Sequence, residues 1–267
     1  MALIQVDFKS LSLQRRVRIN VVLPADLEAE GAQTPYQTLY LLHGIFGDAN
    51  SWLLNSNVAR YAEEKNLCLV MPDGENGFYL DHPDRLNLYS TYVGQELVRI
   101  TRRMFPLSAR REDTFIGGFS MGGYGALRTG LRYPDTFGAI CALSSALILD
   151  SYVRGQAAGP TSDSYLQAMF GSGDVLHSDL NPIWLVRQIL AQGRAAPRLY
   201  LSCGEQDFLL DANRQFHEEL TALAVPHTFS TCPGRHDWDF WDRECAFLIR
   251  SWLPTAAERR DAAEEIR

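Results

Sequence analysis

The 267-residue sequence has few cysteines, no long apolar run and no excess of positive charge. Its five cysteines are scattered, odd in number and without a CxxC pair, so we expect free thiols in a reducing compartment. No apolar run approaches the ~20 residues that a membrane helix needs. The opening MALIQVDFKS turns polar too early for a secretory signal, and a net charge of −7 offers no basic face for nucleic acid. These absences predict a cytoplasmic protein with neither a membrane nor a nucleic-acid partner.

The remaining composition is that of an ordinary globular protein, with 46% hydrophobic and 21% charged residues. Short apolar runs alternate with segments of helical spacing. The predicted strands are 13–23, 38–42, 67–71, 114–119, 137–143, 198–203 and 227–232. The predicted helices are 51–65, 89–105, 121–132, 163–170, 182–192, 211–224 and 238–252. This alternation favours an α/β fold with a mainly parallel sheet and helices on both faces, preceded by an antiparallel strand at 13–23.

The pattern predicts one domain over residues 1–253, with a polar loop at 25–37. Residues 147–195 interrupt the alternation, since they contain two predicted helices and no convincing strand. We interpret this segment as a small helical cap inserted over the carboxyl end of the sheet. A plain crossover helix with long loops is the alternative. The charged tail 254–267 is expected to be a frayed helix or disordered.

The clearest functional signal is GGFSMGGYG at 117–125, in which Gly118, Ser120 and Gly122 form a GxSxG pattern. A predicted strand enters the pattern and a helix rich in small residues leaves it. This arrangement lifts a serine hydroxyl above a sheet, on a turn too sharp for flanking side chains. It predicts Ser120 as a nucleophile. The alternative is a tightly packed glycine-rich turn in which Ser120 only caps the helix.

A serine nucleophile needs a histidine base and a carboxylate that orients the base. In this kind of fold the acid and then the histidine follow the serine along the chain. His236 lies between the last predicted strand and helix, and is the one histidine in the expected place; the others are His43, His82, His177, His217 and His227. Asp207 follows the strand 198–203 and is the preferred acid. Its rivals are Glu205, Asp211, expected to cap the next helix, and Asp237, whose side chain should diverge from that of its neighbour His236.

Acyl transfer also needs two backbone N–H groups that point at the developing oxyanion. One is expected from Met121, directly after the nucleophile. The other is expected from the glycine-bearing loop LLHGIFG at 41–47, where we assign Ile45, with Phe46 as the alternative. His43 is expected to brace this loop rather than to take part in the chemistry.

Six stretches together resemble the esterase D-like branch of the α/β hydrolases, and most closely the bacterial tributyrin-esterase type. They are LLHGIFGDANSW (41–52), VMPDGENGFY (70–79), YSTYVGQELVRITRRMFP (89–106), FIGGFSMGGYGALRTGLRYPDTFG (115–138), CGEQDFLLDANRQF (203–216) and PGRHDWDFWDRE (233–244). The sequence departs from the pattern at 85–87, and 149–195 carries no fixed motif. Substrate choice is therefore the property for which the resemblance gives least guidance.

The resemblance implies the α/β-hydrolase fold and a carboxylesterase that acts on short-chain acyl esters without a cofactor or metal ion. It places the triad on Ser120, Asp207 and His236 and the oxyanion donors on Ile45 and Met121. It is also compatible with a homo-oligomer. Candidate pocket walls are Phe46, Trp52, Phe78, Tyr89, Tyr92 and Trp184, each of which could equally be ordinary core.

Three alternatives to a short-chain carboxylesterase stay open at this point. The same triad would serve an S-formylglutathione hydrolase, because only the leaving group differs. Acetyl-xylan and feruloyl esterases belong to the same group of relatives. A hydrolase-fold binding protein that has lost catalysis is the non-enzymatic alternative, although the sequence retains serine, aspartate and histidine.

Overall fold

Ten strands and ten α-helices were identified in the computed structural model, which describes residues 1–25, 35–156 and 161–255. The strands are β1 (Ala2–Ser10), β2 (Arg15–Leu23), β3 (Gln37–Leu42), β4 (Leu67–Pro72), β5 (Asp81–His82), β6 (Asn87–Leu88), β7 (Thr114–Phe119), β8 (Ala139–Leu143), β9 (Arg198–Gly204) and β10 (His227–Cys232). The helices are α1 (Ser51–Asn55), α2 (Val58–Lys65), α3 (Tyr89–Thr91), α4 (Leu97–Met104), α5 (Met121–Arg132), α6 (Leu149–Val153), α7 (Asp163–Phe170), α8 (Pro182–Ala191), α9 (Leu210–Ala222) and α10 (Trp238–Phe247).

Eight of the strands form one sheet in the order β1-β2-β4-β3-β7-β8-β9-β10. The β1–β2 and β2–β4 pairs are antiparallel, and every later pair along the sheet is parallel. The short strands β5 and β6 pair only with each other. This topology confirms the predicted α/β class and the early antiparallel strand.

The inner strands are buried on both faces because helices cover each side of the sheet. Along β3, Tyr40 and Leu42 point into one apolar cluster, which also receives side chains from α4, α5, α8 and α9. Leu39 and Leu41 point into the other cluster, built with α1, α2 and α10. The two clusters explain why the inner strands are continuous apolar runs rather than alternating ones.

The loops that follow the carboxyl ends of the parallel strands meet at one end of the sheet. They are 43–47 after β3, residue 120 after β7, 205–209 after β9 and 233–237 after β10. Ligands and catalytic groups collect at this end in open α/β sheets. The sheet therefore brings together four segments that are distant along the chain.

Most predicted elements are confirmed, with several local differences, among them the short elements β5, β6 and α6, which were not predicted. Strand β1 was missed, although apolar Ile4, Val6 and Phe8 alternate with polar residues, as expected of a half-buried edge strand. The predicted helix 51–65 is two helices, since Ser56 between them has extended backbone. The helix predicted over 89–105 is one helical run that includes a π turn at Tyr92–Glu96.

Residues 147–195 form α6, α7 and α8, with residues 157–160 outside the described part of the chain. Helix α8 packs beside α5 and α9, as a crossover helix does. Helix α7 instead reaches the loop after β4, where the Tyr165 hydroxyl donates to the carbonyl oxygen of Asn76. The segment thus contains a crossover helix, α8, and a second helix, α7, that contacts the loop after β4. Its role as a cap stays a prediction.

No helix among the described residues has both the length and the apolar character needed to cross a membrane. The five cysteines are free thiols, as predicted. Most of the predicted loop 25–37 and of the tail 254–267 lies outside the described residues, so neither prediction is tested.

Candidate active site

Ser120 occupies a sharp turn between β7 and α5. Its backbone angles, φ 55° and ψ −120°, are rarely adopted by residues with a side chain, and such strain costs about 1–3 kcal/mol. Gly118 and Gly122 permit the turn, because a Cβ atom at either position would lie 2.6 Å from neighbouring backbone atoms. The Ser120 side chain makes no hydrogen bond that caps α5, which removes the capping alternative.

The structure brings Ser120, His236 and Asp207 together in a chain of hydrogen bonds. The Nε2 atom of His236 lies 3.0 Å from the Ser120 hydroxyl oxygen, and its Nδ1 atom lies 2.9 Å from Asp207 Oδ2. Since a carboxylate can only accept, Nδ1 carries the proton and Nε2 accepts from the serine hydroxyl. This is the arrangement in which a histidine can remove the serine proton.

The Asp207 carboxylate is fully buried yet held in its charged form. Burial alone would raise its pKa, but the hydrogen bonds from His236 and from the Leu209 N–H group outweigh burial. The pKa of Asp207 is therefore below its ordinary value. A carboxylate that stays ionised can orient the imidazole and stabilise its cationic form.

Ser144 also supports the acid, and sequence reasoning missed it. Its side chain contributes to the lowered pKa of Asp207, and its hydroxyl oxygen accepts from the indole N–H group of Trp241 at 3.2 Å. Ser144 is completely buried and directly follows β8, the neighbour of β7 in the sheet. Its position at the carboxyl end of a central strand was the signal that could have identified it.

The two predicted oxyanion donors border the same opening as Ser120. Among the described residues, neither the Ile45 nor the Met121 N–H group donates a backbone hydrogen bond outside the helices and strands. The Phe46 N–H group, the predicted alternative, instead donates to Asn76 Oδ1 at 2.9 Å. The Phe46 amide is thus engaged by Asn76, and the assignment of Ile45 as the second donor stays a prediction.

His43 braces this loop from beneath. Its Nδ1 atom donates to the carbonyl oxygen of Gly44 at 2.7 Å, and its Nε2 atom accepts from the Gly74 N–H group at 2.8 Å. Both ring nitrogens are occupied and the side chain is buried. Because the Gly44 carbonyl oxygen is held toward His43, the Ile45 N–H group of the same peptide unit points to the opposite side.

The remaining histidines lie away from Ser120. His177 pairs with Asp174 on the exposed part of the segment 147–195. His217 and His227 share a hydrogen bond of 2.7 Å beside the edge strand β10. His82 lies in the short strand β5, and burial, which is the largest cause, lowers its pKa.

The rival carboxylates have other positions. Glu205 is exposed. The predicted cap at Asp211 is wrong, because Leu209 occupies the N-cap position of α9 and Asp211 lies in the first turn. Asp237 does cap α10, accepting from the Phe240 N–H group at 3.1 Å, so its side chain diverges from His236 as expected.

A small opening with a cavity volume of about 30 Å³ lies over Ser120. Its other lining residues are apolar apart from one threonine: Ile45, Phe78, Met121, Ala146, Ile148, Thr161, Phe208 and Leu209. Such a volume is well below the ~300–1,000 Å³ of typical small-molecule sites. The described part of the wall carries no charged side chain.

Of the proposed pocket walls, Phe78 lines this opening, whereas five other aromatic residues lie outside its lining. Trp52, Tyr89 and Tyr92 are almost fully buried in the apolar clusters, which matches their alternative interpretation as core. Trp184 packs half-buried against the same core. Phe46 is 78% exposed.

Comparisons with known proteins agree with the fold. A family model described as a putative esterase matches residues 10–246. An acetyl esterase of Caldicellulosiruptor saccharolyticus is 36% identical over 267 residues, covering 97% of this chain and 100% of that protein.

Two solved structures from Staphylococcus aureus are similar over nearly the whole chain. One is FphF, a fluorophosphonate-binding serine hydrolase, with a TM-score of 0.82. The other is the S-formylglutathione hydrolase FrmB, with a TM-score of 0.83. Each is 29% identical to this chain, and each match covers 94% of this chain and 98% of the other.

The family model covers most of the chain, and the acetyl esterase aligns with it along its full length. The predicted resemblance is confirmed, and the alternative of a binding protein without activity is not retained. The chain belongs to the putative esterase family and is a carboxylic ester hydrolase with the α/β-hydrolase fold.

Proposed function

We propose that this esterase is a serine carboxylesterase that hydrolyses short-chain acyl esters, from acetyl to butyryl. Ser120 is the nucleophile, His236 the general base and acid, and Asp207 the orienting carboxylate. The observation that carries the proposal is the hydrogen-bonded chain of 3.0 and 2.9 Å that joins the three side chains. No metal ion or cofactor takes part in the proposed reaction.

In the acylation step, the Ser120 oxygen attacks the ester carbonyl carbon while His236 Nε2 takes the hydroxyl proton. The carbonyl oxygen becomes an oxyanion that the Ile45 and Met121 N–H groups stabilise. The bond to the leaving oxygen then breaks, and His236 returns the proton to that oxygen. The products are an alcohol and an acyl group esterified to Ser120.

In the deacylation step, water occupies the place of the alcohol. His236 takes a proton from the water as its oxygen attacks the acyl carbon. The bond to the Ser120 oxygen breaks, the serine regains the proton from His236, and the carboxylic acid leaves. Asp207 stays ionised throughout, consistent with its lowered pKa.

The opening over Ser120 supports the preference for short acyl groups. A cavity volume of about 30 Å³ leaves little depth for a long acyl chain. The side chains of Phe78 and Ile148 offer apolar contact to an acyl chain. Turnover of p-nitrophenyl esters should therefore decline between the butyrate and the octanoate.

The nucleophile is tested with Ser120→Ala and an exposed control, Ser251→Ala. We expect Ser120→Ala to lose at least ~10⁴ in kcat/KM for p-nitrophenyl acetate while the protein stays folded. A fluorophosphonate probe should label the wild type and Ser251→Ala but not Ser120→Ala. Near-normal turnover by folded Ser120→Ala would reject the proposal.

A thioesterase acting on S-formylglutathione is a second candidate, supported by the similarity to FrmB. The proposed triad would attack a thioester in the same way, with a thiolate as leaving group. Comparison of kcat/KM for S-formylglutathione and p-nitrophenyl acetate separates the two. A value at least tenfold higher for the thioester would favour the second candidate.

A further inference from the structure

Phe208 is a half-exposed aromatic residue beside the proposed triad. It directly follows Asp207, which is buried, yet 53% of Phe208 is exposed to solvent. The residue lines the same opening as Ser120. The exposed part of this apolar ring is accessible to a ligand that enters the opening.

The backbone holds this ring in a defined place. The Leu209 N–H group donates to Asp207 Oδ1 at 2.9 Å, which closes a tight turn around residue 208. Leu209 itself is buried. With both neighbours fixed, the Phe208 ring lies against the imidazole of His236, with 4.7 Å between the ring centroids and an interplanar angle of 52°.

The imidazole of His236 also contacts a second ring, the buried side chain of Trp241. Trp241 meets His236 edge to face, with centroids 4.9 Å apart, and is 6% exposed. Trp241 also stacks on Phe119 in the core. His236 therefore already has a buried aromatic support, and the exposed Phe208 is available for a different role.

The proposed reaction indicates which part of the ester lies beside the Phe208 ring. The leaving oxygen must take its proton from His236 Nε2, so the first carbon atoms of the alcohol lie beside the imidazole at that moment. The carbonyl oxygen is turned toward the Ile45 and Met121 amides. A ring that touches the imidazole and lines the opening is thus placed to contact the alcohol part of the ester.

We infer that Phe208 forms the leaving-group subsite and favours esters whose alcohol presents an apolar or aromatic face. The inference rests on the proposed function. Phe208 would act as a specificity-determining residue, since ring contacts with the departing group lower the barrier for acylation alone. Once the alcohol has left, the acyl-enzyme is the same for every ester of one acid.

The test compares phenyl acetate with methyl acetate in wild type and Phe208→Ala. The two esters give the same acetyl-enzyme and differ only in the leaving group. We expect Phe208→Ala to lower kcat/KM for phenyl acetate about three- to tenfold more than for methyl acetate. The deacetylation rate, measured after a burst of product, should stay within about twofold of wild type. Phe208→Leu should recover part of the loss.

The matched control is Phe247→Ala, which removes a ring of similar exposure, 50%, from α10. It should leave the ratio between the two esters unchanged. Equal losses on both esters in Phe208→Ala, or a parallel loss in deacetylation, would show that the ring only supports His236 and would overturn the inference. An unchanged ratio with full activity would overturn it too. Failure of the proposed function would look different, because the wild type itself would then form no acetyl-enzyme.

Discussion

Two aspartate–histidine pairs in this protein have the same shortest nitrogen–oxygen distance and very different surroundings. Asp207 and His236 lie 2.9 Å apart at the carboxyl edge of the sheet, and so do Asp174 and His177 in the segment 147–195. The first aspartate side chain is completely buried, whereas the second is 69% exposed. A distance alone therefore does not distinguish a catalytic pair from a surface pair.

The difference lies in what surrounds each pair. The pKa of Asp174 is lowered chiefly by its hydrogen bond with His177. At Asp207, burial opposes ionisation, and hydrogen bonds from His236 and the Leu209 N–H group are needed to keep the carboxylate charged. Only the buried pair also has a hydroxyl, that of Ser120, at the far side of its imidazole among the described residues. The pair at the carboxyl ends of the strands therefore has the hydrogen-bonded serine that the proposed reaction needs. The pair on the segment 147–195 has no such partner among the described residues.

The largest expected effect comes from neutralising each aspartate in turn. Asp207→Asn should lower kcat for p-nitrophenyl acetate by about 10³–10⁴, because an amide no longer holds the imidazole in the required tautomer. Asp174→Asn should stay within about twofold of wild type. Steady-state kinetics on the two folded variants checks this. Comparable losses in both would contradict the distinction between the pairs.

Two glycines give a second comparison, in stability. A Cβ atom at Gly118 would meet backbone atoms of Gly122 and Leu42 at 2.6–2.7 Å, whereas one at Gly173 would meet nothing within 4 Å. We expect Gly118→Ala to lower the free energy of unfolding by about 3 kcal/mol, since backbone cannot move aside easily. Gly173→Ala should change it by less than about 0.5 kcal/mol. Urea unfolding measures both, and similar values would mean that the turn at Ser120 is not tightly constrained.

A third comparison is between the free energies of unfolding of wild type and Asp207→Asn over a range of pH. The pKa of Asp207 is lowered in the folded protein, so its carboxylate contributes stability above the unfolded-state pKa of about 3.9 and loses it as pH falls through the folded value. The free energy of unfolding of wild type should therefore drop toward that of Asp207→Asn as the pH falls below about 4. Urea unfolding over a pH series checks this. A constant difference between the two proteins would contradict it.

The smallest effect is expected where the segment 147–195 touches the site. The Tyr165 hydroxyl donates to the Asn76 carbonyl, and the Asn76 side chain in turn holds the Phe46 amide. Tyr165→Phe removes one hydrogen bond, about 1 kcal/mol, and should lower kcat/KM by at most about fivefold. Tyr152→Phe is the control, because the Tyr152 hydroxyl donates to Gly171 within the same segment. Equal kcat/KM values in the two variants would show that the hydrogen bond between α7 and Asn76 does not affect the loop 43–47.

The meeting of Ser120, His236 and Asp207 could be predicted because each residue lies in a local pattern at a strand end. Gly118 and Gly122 must be glycine for steric reasons, so the turn at Ser120 is visible in the sequence. His236 and Asp207 follow from the order of the strands once the fold class is known. These inferences needed no knowledge of side-chain packing.

The pocket could not be predicted in the same way. Aromatic residues such as Trp52 and Tyr89 have the same composition signal whether they face a ligand or the core, and both turned out to be buried. Ser144 and Asn76 act through hydrogen bonds set by the tertiary structure. No periodicity or motif in the sequence indicates such contacts, so the lining of the opening over Ser120 follows from the tertiary structure rather than from the sequence pattern.

The most direct test of the proposed triad is to trap the acyl-enzyme. Protein mixed with p-nitrophenyl acetate is quenched in acid within the burst phase, digested and analysed by mass spectrometry. We predict one acetyl group on Ser120 in the wild type and in Asp174→Asn, and almost none in Asp207→Asn under the same conditions. An acetyl group on another residue, or steady turnover with no acetylated Ser120 at any time, would contradict the proposal.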